Sequence, residues 1–528
     1  MRLLPAGSDG MLVEVADLDE ALALFASLRD DPPAGVEELV PAARTVLVRF
    51  DPALTELGEL SAELRRRPLT AAAGADGPLV SVPVHYDGED LAEVAQLCGL
   101  DEAEVVRRHT ARPWTVAFTG FAPGFAYLAG GDPALDVPRR DVPRTVIPAG
   151  SVALAGRFSG IYPRASPGGW QLLGRTPLAM WDLRRDAPAL LHPGMRVQFV
   201  DAGPGAAPRA GAQPDGNFVS TAARALEVIT PGALTVVVDL GRPGRSAQGV
   251  ARSGAVDRTS LRQGNRLVGN PADAAALEVA VGGLRVRARG DLVLAVTGAP
   301  TSLTLHTAGG PVGLPGQQAF ALDDGEELHL ASPARGVVSY LTVRGALAVA
   351  PVLGSASTDL LAGIGPPPLQ AGDVIPVGSR VVSAVALGHD PVPLLPAPDS
   401  VVDVDVVLGP RDDWFSDRAL QVFLGQEWTV TPRSNRVGLR LAGGEVLERS
   451  HPGELPSEGT VPGAVQVPPS GQPVVFTADH PVTGGYPVIA CVAAHHLDLL
   501  GQLPVGSRIR FRRVALTLPR PGPPRGRP

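Results

Sequence analysis

Leu284-Arg285-Val286-Arg287-Ala288-Arg289 alternates apolar and charged residues one for one. Successive side chains of a strand point to opposite faces. The run therefore sets Leu, Val and Ala on a core and its arginines in water. Arg508-Ile509-Arg510-Phe511-Arg512 repeats the pattern. A period of two sets in at Trp114, and further short strands are expected at 152–155, 197–200, 234–239, 292–297, 337–343, 404–408, 474–478 and 488–492. Gly- and Pro-rich turn signals punctuate them throughout. This is the pattern of β-barrels or sandwiches, not of a doubly wound sheet.

Ahead of that region the period is mixed. Leu18, Leu22, Phe25 and Leu28 share one helical face before a strand at Thr45–Phe50. Asp51-Pro52 reads as an N-cap and first-turn proline, with Leu57, Leu60 and Leu64 continuing the helix. A small α/β subdomain is expected there. Residues 88–111 hold a helical pair around Gly99 whose spacing resembles a helix-turn-helix. Its second helix opens Asp101-Glu102-Ala103-Glu104, which a phosphate backbone would repel and a helix N-terminus favours. Structural helices are expected, with Asp101 as cap.

At 528 residues the chain has room for three or four domains of about 150 residues. Gly 62 and Pro 54 make up about a fifth of it, with 45% hydrophobic and 19% charged residues. These proportions describe a turn-rich globular protein. All 46 basic residues are arginine. The absence of lysine excludes a biotinyl-lysine carrier, a pyridoxal Schiff base and a phosphate-loop lysine on this chain. A net charge of −8 argues against nucleic acid as a partner. Cys98 and Cys491 imply neither a disulfide framework nor a Cys-rich metal site. The N-terminus lacks a signal-peptide core, and no stretch of 18 uncharged apolar residues suggests a membrane span. A cytoplasmic protein is expected.

The clearest break is 203–225, rich in small and turn residues, with a lesser one at 394–400. The division expected is a small α/β subdomain at 1–80, a β-barrel at 81–202, a linker at 203–225, a second half at 226–515 and a disordered tail at 516–528.

No GxSxG elbow, HExxH, GxGxxG or paired CxxC occurs. His495-His496 is the one adjacent histidine pair, and neighbours on a helix point different ways, so no metal site is expected. Three dense runs stand out instead. Phe118-Thr119-Gly120-Phe121-Ala122-Pro123-Gly124-Phe125-Ala126-Tyr127 gathers four aromatics, which either fold back on a core or line an apolar pocket. Pro143-Arg144-Thr145-Val146-Ile147-Pro148-Ala149-Gly150-Ser151 places an arginine beside rigid prolines, ready for a carboxylate or phosphate. Tyr162-Pro163-Arg164-Ala165-Ser166-Pro167-Gly168-Gly169-Trp170 offers glycines where backbone can approach a ligand. Three such runs within about 55 residues point to a site.

These runs resemble the signatures of the B-subunit family of 5-oxoprolinase, also called allophanate hydrolase subunit 1, which includes a sporulation-kinase inhibitor. The later part resembles the C-subunit family, allophanate hydrolase subunit 2. It matches at Asp239-Leu240-Gly241-Arg242-Pro243-Gly244, Ser253–Asp257, Asn265–Asn270, Leu277-Glu278, Gly354–Thr358, Pro462–Pro468 and Thr483–Pro487. The resemblance covers nearly all but the linker and tail, and marks a B–C fusion. It implies a mainly β fold with cyclophilin-like β-barrels in both halves, related to the carboxyltransferase part of urea carboxylase. It also implies ATP-dependent opening of 5-oxo-L-proline to L-glutamate with a separate A subunit. Phosphorylating the lactam oxygen turns a poor electrophile into one that water attacks.

On matching positions the resemblance assigns catalysis to Asp257, Asp239 and Arg144. It assigns substrate binding to Tyr162, Ser166, Gly168, Gly169, Trp170, Arg242, Asn265, Gln466, Thr483 and Tyr486. It assigns no resident metal and no biotin. ATP, with or without Mg2+, would be held by arginines and backbone here or by the partner subunit. The expected partners are a small lactam or amide and the 5-oxoprolinase A subunit, with no nucleic acid or membrane and with homo-oligomerisation left open. The C half departs from the family pattern at Val236-Val237-Val238-Asp239, at Gly354-Ser355-Ala356-Ser357-Thr358 and at Asp479-His480-Pro481-Val482, losing polar groups each time. Two other readings stand beside the first. One is a urea- or amide-type carboxyltransferase using a biotin carrier in trans; the other is a kinase-inhibiting interaction module.

Overall fold

The computed structural model describes residues 1–69, 77–140, 142, 144–203, 205, 218, 220–451, 453 and 455–515. The tail expected at 516–528 and most of the linker lie outside the described residues.

The alternating runs form the strands they predict. Leu284–Arg289 alternates buried and half-buried residues along its whole length, and Arg508–Arg513 buries Ile509 and Phe511. The first belongs to a seven-stranded sheet packed face to face on a five-stranded sheet, together spanning Ala225–Pro231 to Val374–Arg380. Between the sheets Leu226, Leu277, Val286, Leu294 and Leu341 are buried. Helix Arg258–Val268 covers the other face of the smaller sheet. The lesser sequence break at 394–400 falls where the chain leaves this two-sheet unit for the last barrel, so the span 226–515 holds two packed units.

The two barrels share one connectivity. The last closes with its first strand, Val401–Leu408, parallel to its final strand, Arg508–Arg513. In the first barrel Leu79–Val84 likewise runs parallel to Arg196–Asp201. Its remaining strands follow in the same circular order, and a bridge from His85 to Arg175 joins the sheet's edges. Each barrel also carries a two-stranded ribbon at the same point in the order: Arg144–Ile147 with Ser166–Gly168, and Glu458–Gly459 with Thr483–Gly484. The packing repeats as well. Trp114 Nε1 donates to the His109 carbonyl and Trp428 Nε1 to the Phe423 carbonyl, both at 3.0 Å. Each tryptophan thereby satisfies a carbonyl that the end of a helix leaves without an intrahelical partner. Phe199 stacks on His109 at 4.3 Å and Phe511 on Phe423 at 4.6 Å.

The helical pair at Leu91–Cys98 and Glu102–Thr110 is structural. Asp101 accepts from the Glu104 N–H at 2.7 Å, and Gly99 ends the first helix at a φ of 66°. One expectation fails locally. Asp51 does not cap the next helix: it accepts from the Ala53 N–H at 2.9 Å and closes a turn, and the helix Leu57–Arg66 starts later behind Glu56. Asp side chains serve turns as readily as caps, and Pro52 fits either.

The four-stranded N-terminal sheet buries both faces. One carries helices Leu18–Asp30 and Leu57–Arg66. The other sets Leu12, Val40 and Leu47 against Val461, Ala464, Phe476 and Val488 of the last barrel. The beginning of the chain and its end thus share one core. Among the described residues no helix is long and apolar enough to cross a membrane.

Candidate active site at the seam between the halves

The matched turns of the C half converge on a buried ionic network. Arg436, 7% exposed, lies between Glu278 and Asp479; its Nε meets Asp479 Oδ2 at 3.0 Å and its Nη2 donates to the Gly254 carbonyl at 2.7 Å. Burial opposes its charge, but the two carboxylates hold its pKa above the usual arginine value. Asp479 also accepts from Ser253 Oγ at 2.6 Å and from the Leu360 N–H at 3.0 Å. Ser253 has a φ of 54°, a conformation L residues rarely adopt, and leads into Gly254 at 96°. Glu278 accepts from Tyr340 Oη at 2.7 Å and from the Val256 N–H at 3.0 Å.

The residues assigned by resemblance now have observed roles. Asp239 accepts from Ser355 Oγ and Ser357 Oγ at 2.6 Å and from the Gly241 and Ala356 N–H groups at 2.7 Å, clamping the Ser355–Ser357 turn. Asp257 caps helix Arg258–Val268, accepting from the Ser260 N–H and Gln502 Nε2 at 2.9 Å and from Ser260 Oγ at 2.6 Å; burial raises its pKa. Asn265 bonds the Ala274 carbonyl inside the fold. Arg242 is 1% exposed, donates to the Ser357 and Val352 carbonyls, and has its Nη1 buried without a hydrogen-bond partner. Burial lowers its pKa, and Asp359 nearby works the other way. The Asp359 carboxyl is pushed up to about 7 by burial and by Asp479.

The first half reaches this place by two routes. Arg164 reaches towards Asp359, and burial lowers its pKa. The Phe121 N–H donates to Thr483 Oγ1 at 3.1 Å, and Gly120 lies so close to Thr483 that a Cβ would come within 2.1 Å of that oxygen. Gln466 Nε2 donates to the Tyr486 carbonyl at 3.1 Å, and Tyr486 is 42% exposed.

The site residues of the first half divide differently. The aromatic run folds back on a core: Phe125, Tyr127, Tyr162 and Trp170 pack edge to face in one cluster, Phe118 stacks on Tyr127 at 4.3 Å, and burial raises the Tyr162 pKa. Ser166 and Gly168 lie in the ribbon strand beside it, and the Gly169 carbonyl just beyond accepts from the Arg140 N–H at 2.8 Å. Arg144 does not join the seam. It pairs with Asp90 at 2.7 Å and with Glu89 at 3.1 Å, and the Asp90 hydrogen bond raises its pKa. The His495 and His496 rings do not diverge as expected; they lie 4.3 Å apart and both face Asp405. His496 Nδ1 is taken by the Asp405 N–H at 3.0 Å. Arg436, Asp359 and Tyr340 escape a reading of the sequence because their partners lie tens to hundreds of residues away, beyond any spacing rule.

Residues 248–513 match the family model for carboxyltransferase domain, subdomain A and B, and residues 1–191 that for carboxyltransferase domain, subdomain C and D. The chain belongs to the carboxyltransferase-domain family. Its C half is 38% identical over 301 residues to the C subunit of 5-oxoprolinase from Escherichia coli, covering 55% of this chain and 92% of that protein. Its first half is 49% identical over 124 residues to the B subunit of 5-oxoprolinase from Escherichia coli, covering 23% of this chain and 57% of that protein. Urea amidolyase of Saccharomyces cerevisiae is more distant, 31% identical over 309 residues that make up 54% of this chain and 16% of that protein. The crystal structure of TTHA0988 superposes with a TM-score of 0.83 at 39% identity, over 95% of this chain and 99% of that one. This carboxyltransferase-domain protein therefore unites in one polypeptide what its B and C relatives divide between two, and the seam described above joins those two parts.

Proposed function

We propose that this protein is the fused B and C component of a cytoplasmic, ATP-dependent 5-oxoprolinase that opens 5-oxo-L-proline to L-glutamate together with a separate A subunit. The observation that carries this reading is the seam. Turns matching the B family and turns matching the C family meet there around buried charges; the Arg242 Nη1 has no hydrogen-bond partner, and the Asp359 carboxyl, which accepts from the Ala362 N–H at 2.8 Å, is in no ion pair among the described residues. A guanidinium with an open N–H suits the carboxylate or polarised carbonyl of a lactam, and a carboxyl near neutrality can take or give the ring nitrogen's proton.

Three helix starts leave no place for an ATP phosphate. The helix Arg258–Val268 presents its first N–H groups to Asp498 and Asp257. The helices Glu102–Thr110 and Asp417–Gly425 are closed by Asp101 and Ser416. At these three starts the place of a phosphate is thus taken by the chain's own oxygens. We assign the nucleotide to the A subunit, with no ATP step on this chain.

The test is glutamate release from 5-oxo-L-proline and ATP, using this protein with its purified A subunit, omitting each in turn. Glutamate that requires both supports the reading. No turnover by a folded pair overturns 5-oxoproline as the substrate. Activity on urea with a biotin carrier added in trans would instead favour the carboxyltransferase reading.

A further inference from the structure

The seam carries a second group of charges that the network above leaves unused. Arg252 and Arg258 bracket the Ser253–Asp257 turn, and Arg262 stands one helical turn beyond Arg258 on the same helix. Arg49 approaches them from strand Thr45–Phe50 of the N-terminal sheet, close enough to repel both Arg252 and Arg258. Arg49 is paired with Asp9 at 2.5 Å. Arg252 donates its Nε to the Leu240 carbonyl at 3.2 Å. Among the described residues Arg252, Arg258 and Arg262 have no ion-pair partner.

The acids that face this group are otherwise engaged or lie on the strand beside it. Asp498 accepts from the Arg258 and Thr259 N–H groups at 3.0 and 3.1 Å and from Thr259 Oγ1 at 2.6 Å. Glu37 and Glu38 stand on strand Val36–Pro41 and offset part of the charge of both Arg49 and Arg252. His480 is buried, and its pKa is brought down to about 4, first by that burial and further by Arg49 and Arg258. Burial and the neighbouring arginines bring Arg258 down to about 10. Guanidinium groups gathered with few counter-ions repel one another, and an anion arriving among them relieves that repulsion.

We propose that Arg252, Arg258 and Arg262, with Arg49 across the seam, form a binding site for a small carboxylate or phosphate anion, completed only when the two halves are together. Fork-shaped donors suit either oxyanion, and the shared chemistry is a delocalised negative charge with two or three acceptor oxygens. That the anion is the carboxylate of 5-oxo-L-proline rests on the proposed function; the site itself does not.

The test is thermal unfolding of the full chain at constant ionic strength with inorganic phosphate, with 5-oxo-L-proline, or with 2-pyrrolidinone, the same ring without its carboxylate. We expect phosphate, 5-oxo-L-proline or both to raise the midpoint and 2-pyrrolidinone to leave it unchanged. A response to phosphate alone assigns the site to a phosphoryl group, and one to 5-oxo-L-proline alone to a carboxylate. Arg258→Gln and Arg262→Gln should each weaken the anion response roughly ten-fold or more, the scale of a charge-assisted hydrogen bond. Both should hold or raise the midpoint in anion-free buffer, because they relieve repulsion. The proposal is overturned by a wild-type chain insensitive to both anions, by variants with an undiminished response, or by variants that lower the anion-free midpoint, the mark of a structural role. A chain that binds the anion yet releases no glutamate with its A subunit overturns the proposed function and leaves the site standing.

Discussion

Asp359 carries the most direct consequence for pH. With its carboxyl raised to about 7 by burial and by Asp479, the folded chain keeps a proton there that the unfolded chain releases near the ordinary aspartate value. This contribution to stability is full below about pH 4, falls as pH rises towards 7 and is flat above. The buried His109 and His480, held down to about 3 and about 4, act in the opposite sense below about pH 6.5. The comparison must therefore be made between wild type and Asp359→Asn. The variant should gain on wild type by up to about 1.4 kcal/mol per pH unit between pH 4 and 7, read by urea titration. Parallel pH profiles for the two proteins would contradict the shift. Asp239 is a separate case. Four donors surround it, so Asp239→Asn turns an N–H towards donors and should cost about 2 kcal/mol. Wild-type stability in that variant would show the Ser355–Ser357 turn to be held by other means.

The contact between Gly120 and Thr483 is where the element scale shows most clearly. A loop of the first barrel and a ribbon strand of the last meet at this point, and a methyl group has no room there. Gly120→Ala is expected to destabilise by about 1–3 kcal/mol, because Thr483 is buried and β-branched and cannot swing aside. Thr483→Ala in the same chain should return part of that loss, a coupling measurable by a double-mutant cycle. Additive losses would mean that the clash is relieved elsewhere. Much of the element scale is legible in the sequence. The alternation in Leu284–Arg289, the helix capped by Asp101 and the strand Thr45–Phe50 follow from local chemistry and stand where expected. Asp51 departs from expectation because one residue type serves both turns and caps.

For the whole molecule, the shared core of Leu12, Val40 and Leu47 with Val461, Phe476 and Val488 predicts that the halves stay associated without the linker. A protease site inserted at 210–214 and cut after folding should leave the halves eluting together from a sizing column, with any activity retained. Separation on cutting would show that the linker holds the halves together. The Arg411 guanidinium adds to this joint, pairing with Glu14 at 2.8 Å and with Glu458. Breaking that buried triad by Arg411→Met should weaken the cut complex more than the intact chain, where the linker keeps the halves at high local concentration.

By itself the amino-acid sequence determined the β-rich class, the two-part organisation, the absence of lysine chemistry and the family, because strand period, turn residues and ordered motifs are local properties. Only the tertiary structure decided which residues form the seam. It moved Arg144 out to a pair with Asp90 and gave Asp257 a helix to cap. It brought Arg436 to Asp479, Arg164 to Asp359 and Arg49 to Arg258. Those meetings join residues far apart in the chain, and they follow from sheets and barrels packing on one another, a long-range burial of apolar faces that no spacing along the sequence encodes.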